Sequence, residues 1–131
     1  MRIVFSVVIV LVSLLSSATA VSHHSFSAEF DVGRPIELTG TVISFEWTNP
    51  HAWLFIETED DQGNLQSWAI ELLGVSSLMR SGMTPNKVKP GDLFTIKGFG
   101  SRDGTNTANA SSVTITETGE QLWASARERR N

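Results

Sequence analysis

Between Pro35 and Trp47 the chain reads PIELTGTVISFEW, and its apolar residues change parity partway along. Ile36, Leu38 and Val42 share one parity, whereas Ile43, Phe45 and Trp47 share the other. Side chains alternate across a strand, so no straight strand can bury both sets on one face. A bulge or sharp coil between Gly40 and Ile43 is therefore predicted. A long first strand that bends midway can serve two neighbours, which is what a small closed barrel needs.

The following segments repeat the β pattern. HAWLFIET (51–58) and LQSWAIELL (65–73) are predicted as strands two and three, joined by the turn DDQGN. The period then changes. VSSLMRSG (75–82) reads as a short helix with Ser76 as N-cap and Gly82 at its C-terminal end. TPNKV (84–88) reads as a further turn capped by Thr84, with Pro85 at its first position. LFTIKGF (93–99) and ASSVTIT (110–116) supply strands four and five across the polar loop GSRDGTNTAN. Three strands, a short helix and two strands is the order of an OB-fold, a five-stranded barrel. The expected class is all-β with one short helix.

The first twenty residues, MRIVFSVVIVLVSLLSSATA, have a basic start, an apolar run and an A-x-A ending. These are the three parts of a secretory signal peptide. The apolar run, Ile3 to Leu15, is short against the roughly 20 residues of a spanning helix. The expected organisation is a signal peptide (1–20), an N-terminal arm (21–34), the barrel (35–118) and a C-terminal tail (119–131). The arm is polar with isolated Phe26 and Phe30, and Arg127, Arg129 and Arg130 read as a solvated end. The expected location is periplasmic or secreted, with no stable membrane anchor after cleavage.

Charge and cysteine usage narrow the function. Ten basic residues stand against 14 acidic ones, a net charge of −4; removal of Arg2 leaves 9 against 14, or −5. Such a chain is repelled by nucleic-acid phosphates, so a nucleic-acid partner is not expected. With no cysteine, disulfides, zinc thiolates and iron–sulfur ligation are excluded. Glycine patterns for phosphate loops or dinucleotides are absent.

HHSFSAEFD (23–31), GTVISFEWTNPHAW (40–53), WAIEL (68–72), KPGD (89–92) and DGTNTANA (103–110) together resemble domain-of-unknown-function family 6152. The resemblance spans essentially the whole chain after residue 20. It implies a small exported bacterial domain and no particular activity. Ser27 stands where the usual pattern, HHSFAAEFD, has alanine.

All three histidines fall within those signatures: His23, His24 and His51. Cleavage after Ala20 makes Val21-Ser22-His23 the new terminus. An amine, two amide nitrogens and an imidazole then form a planar nitrogen set, which suits Cu(II) or Ni(II), copper by intrinsic affinity. Cleavage two residues later makes His23 itself the terminus, its amine and ring chelating one ion with His24 or His51. Glu29, Asp31, Glu46 and Glu71 lie near enough in sequence to orient a histidine as hydrogen-bond acceptors.

Pro50 fixes a corner that launches His51, Trp53 and Phe55 along one face of strand two, with Ala52, Leu54 and Ile56 turned inward. The arm's Phe26 and Phe30 are expected to cover Trp53 and Phe55, bringing His23 and His24 towards His51. The leading expectation is an exported binding protein holding a copper-type ion through His23, His24 and His51. The alternative is a small-molecule or peptide-binding module built on Trp53, Phe55, Trp47 and Asn49, without metal. A metal-dependent oxidoreductase is a third, less favoured reading, and no catalytic residue is assigned. The protein partner is not readable from the chain.

Overall fold

A computed structural model describes residues 25–126 and 128–130. The described residues are mostly β-sheet with two short helices. Helix α1 (Phe26–Glu29) leads into β1 (Phe30–Glu46), followed by β2 (Trp53–Glu59) and β3 (Leu65–Glu71). Helix α2 (Val75–Ser81) and a 3-10 turn (Pro85–Lys87) precede β4 (Leu93–Ser101), β5 (Thr107–Ile115) and β6 (Gln121–Ala124). The six strands lie in the order β3-β2-β1-β4-β5-β6, every neighbouring pair antiparallel. A further, parallel pairing of β3 with β5 brings the circuit β1–β2–β3–β5–β4 back to its start.

The parity change is resolved as anticipated. β1 pairs with β4 from Phe30 to Thr41 and with β2 from Thr41 to Glu46. Its register on β2 slips between Val42 and Ser44, leaving Ile43 as the extra residue, 45% exposed. The extra residue turns Phe45 inward, so Val42 and Phe45 both reach the core. Leu54, Ile56, Ile70, Phe94, Ile96 and Val113 are wholly buried, and Leu78 of α2 joins them with Met83. Burying such side chains contributes roughly 1.5–3 kcal/mol each against full exposure.

Four local expectations change. The described residues form six strands, because part of the segment read as a tail forms β6. Leu122, Trp123 and Ala124 are buried there, and β6 pairs with β5. β1 begins at Phe30 rather than Pro35, because Phe30 is buried and already opposes Ser101. The fifth strand begins at Thr107, not Ala110, drawn in by its pairing with β3. Helix α2 starts at Val75 behind Gly74, and its first amide is met by Asn49 Oδ1 at 3.1 Å, not by Ser76. Gly82 ends it in the left-handed conformation (φ 93°), as expected.

Candidate functional site

Strand β2 emerges from a corner at Thr48–His51. Asn49-Pro50 is a cis peptide, and Thr48 Oγ1 donates to the His51 carbonyl at 3.0 Å. Ala52 N–H donates to the Leu73 carbonyl, and Leu72 N–H donates to the Ala52 carbonyl. These bonds continue the β2–β3 ladder past its formal end, so His51 leaves the sheet in a set direction.

Across β3 and β5 stands the group that meets it. Trp53 opposes Glu71, and Glu71 opposes Asn109 in the parallel β3–β5 pairing. Glu71 is only 5% exposed. Its Oε1 accepts from His51 Nδ1, and its Oε2 accepts from Asn109 Nδ2 at 3.2 Å. A buried carboxylate is costly unless its oxygens are satisfied, and here each has a donor. In the neutral ring this contact favours the proton on Nδ1, which leaves the lone pair on Nε2. The His51 side chain is 48% exposed. The result is an imidazole oriented by its partner, able to ligate a metal or accept a proton.

The other expected site residues divide. Trp53 and Phe55 stay half-buried on the outward face, while Leu54 and Ile56 turn inward as anticipated. Trp47 packs edge-to-face on Phe45, with ring centroids 5.3 Å apart, and lies against the core. Asn49 spends its carbonyl oxygen on the start of α2. His23 and His24 lie outside the described residues, as does the expected signal peptide. Among the described residues, no three His, Cys, Asp or Glu side chains gather as a metal would require.

The arm docks beside this row, on β4. Phe26 contacts Phe30 at 5.5 Å and the edge of Phe99 at 5.9 Å, rather than stacking on Trp53 and Phe55. Arg102 clamps it: its amide donates to Glu29 O at 2.9 Å and its Nε to Ser27 O at 2.8 Å. Between arm, Trp53 and the β4–β5 loop lies a cleft of about 520 Å3, lined by Phe30, Trp53, Arg102 and Thr105 among others. Asn109 and Arg102 were not foreseen; both belong to the polar loop and strand five, where only side-chain amides signalled a polar site.

The floor of that loop is a hydrogen-bonded carboxylate. Asp103 accepts from Ser101 Oγ at 2.6 Å, the Thr105 amide at 3.0 Å and Thr105 Oγ1 at 2.7 Å. These bonds, the Ser101 hydroxyl first, hold its pKa down to about 2 from the ordinary 3.8. A folded-state value below the unfolded one means the stabilisation is complete above 3.8 and fades as pH falls towards 2. A carboxyl-carbon NMR titration should therefore give Asp103 a midpoint near 2, with the loop intact at pH 4. A midpoint at or above 3.8 would reject the hydrogen-bonded loop.

Among the described residues, no helix is long and apolar enough to cross a membrane. A family model described as a family of unknown function (DUF6152) matches residues 10–110. No curated protein matches the chain.

Proposed function

The chain belongs to this family of unknown function, and since membership supplies no activity we propose, from the geometry, an exported domain that holds a copper-type ion through His51. The remaining ligands in this reading are His23 and His24, with the amine of the chain end made by export. One observation carries it: His51 Nδ1 is tied to the buried Glu71 carboxylate, itself held by Asn109, on a half-exposed ring whose Nε2 is the nitrogen left for a ligand. Carboxylate–imidazole–metal is the usual way in which a protein orients such a ligand and raises its basicity. Nitrogen donors without thiolates favour Cu(II) among the common divalent ions.

Position supports the same reading. Helix α1 lines the cleft that Trp53 lines, and Trp53 is two residues beyond His51. The strand circuit with its parallel β3–β5 pairing, and α2 between β3 and β4, supports an OB-type barrel carrying β6 as an addition. The three-part leader supports export to the periplasm or beyond.

The test begins with the exported protein, its N-terminus defined by mass spectrometry. Calorimetric titration with Cu(II) should show one tight site, weakened about tenfold or more in His51→Ala and in His23→Ala. Equal, weak uptake by all three proteins would end the metal reading. A second reading, small-molecule binding in the cleft beside Trp53, is favoured by that cleft's size. Ligand binding that survives chelation and His51→Ala but is lost in Trp53→Ala would select it.

A further inference from the structure

On the other side of Asn109 a second pocket opens, of about 470 Å3, between α2, the end of β6 and the segment that follows. Its apolar lining is Leu73, 42% exposed, with the buried Trp123 (5%) and Ala110 (3%). Among the described residues, its charged members are Arg80 and Arg129, and no acidic residue lines it.

That composition is unexpected in a chain with 14 acids against 10 bases. Lys87 pairs with Glu120 at 3.0 Å and Arg102 faces Asp31 at 3.7 Å, whereas Arg34, Lys89, Lys97 and Arg130 have no carboxylate partner among the described residues. Among the described residues, neither Arg80 nor Arg129 has such a partner. Arg80 is nonetheless held in place, its Nη2 donating to Ser77 Oγ at 3.0 Å from one helical turn away. Arg129, expected to be solvated, is exposed and stands at the border of this concavity.

We infer that this pocket binds a small organic carboxylate, its anion clamped by Arg80 and Arg129 and its flat apolar body laid on Trp123. The guanidinium fork matches a carboxylate with two parallel hydrogen bonds, which Lys does not do. The volume lies within the range of small-molecule sites. An apolar lining adds what a bare phosphate cannot use, so the ligand class is an anion with a hydrophobic part. The site is separate from the proposed metal centre, although Asn109 belongs to both the pocket and the Glu71 relay.

The experiment uses metal-free protein and three probes: phenylacetate, its neutral analogue phenylacetamide, and inorganic phosphate. NMR titration should show phenylacetate moving the Trp123 indole and the Arg80 and Arg129 side-chain signals, about tenfold or more tighter than either control. Arg80→Gln and Arg129→Gln should each weaken it, and the double variant should abolish the preference over phenylacetamide. Both arginines lie at the exposed surface, and unchanged thermal unfolding would show the variants folded. Equal binding of phenylacetate and phenylacetamide, full affinity in the folded double variant, phosphate binding as tightly as phenylacetate, or no binding at all would each overturn the inference.

Discussion

Gly98→Ala is expected to lower the unfolding free energy by about 3 kcal/mol or more, the upper end of what overpacking costs. A β-carbon at Gly98 would lie 2.2 Å from the Asn109 carbonyl oxygen and 3.0 Å from Ala110 Cα. Both neighbours are backbone, so no side-chain rotation relieves the clash. The register of β4 on β5 also shifts there, Lys97 opposing Ser112 while Gly98 opposes Ala110. Glycine allows the two backbones to touch at that irregularity. Relief requires β5 to move, and Asn109 is the β5 residue that holds Glu71. Urea unfolding measures the loss; a change within 0.5 kcal/mol, the scale of neutral surface substitutions, would show that the crossing is softer than drawn.

The second large effect falls on the relay itself. Removing Glu71 by Glu71→Ala frees the His51 ring and leaves the Asn109 amide without its acceptor. Losing a partner in a buried polar pair costs about 1–3 kcal/mol of stability. Losing the acceptor behind a metal-ligating histidine typically costs 10–100-fold in affinity, so Cu(II) binding should fall by about that factor. Glu71→Gln keeps an oxygen for His51 Nδ1–H but loses the charge, and should lie between wild type and Glu71→Ala. A purely structural Glu71 predicts otherwise: lower stability with unchanged copper affinity. Nitrogen NMR of His51 gives a metal-free readout. Wild type should hold the Nδ1–H form, and Glu71→Ala should relax to a mixture of both tautomers; a mixture already present in wild type would remove the relay.

Several of these features were legible one segment at a time. The change of parity in β1 required a bulge because period-two alternation is a local property, and Ile43 is where it occurs. The inward and outward faces of β2 follow from the same rule. Glu71 was one of four carboxylates near the histidine signatures, and spacing along the chain had no means of choosing among them. Asn49 looked like a ligand-facing amide; its partner, the Val75 amide, lies 26 residues away. The four residues of β6 form a short apolar run ahead of a charged end, too brief for periodicity to register. Their burial comes from a neighbour, β5, rather than from any pattern of their own.

From the residues alone followed what local physics governs: a cysteine-free, mostly β chain, the bend in its first strand, the turns, the short helix and the family. Tertiary structure decided which side chains meet. The parallel pairing of β3 with β5 sets Glu71 between His51 and Asn109, and β6 with α2 borders a pocket lined by two exposed arginines. Strand alternation assigns each residue a face, but only pairing register says which residues on that face become neighbours. Register is settled by the packing of the whole core, and so the site emerges with the fold.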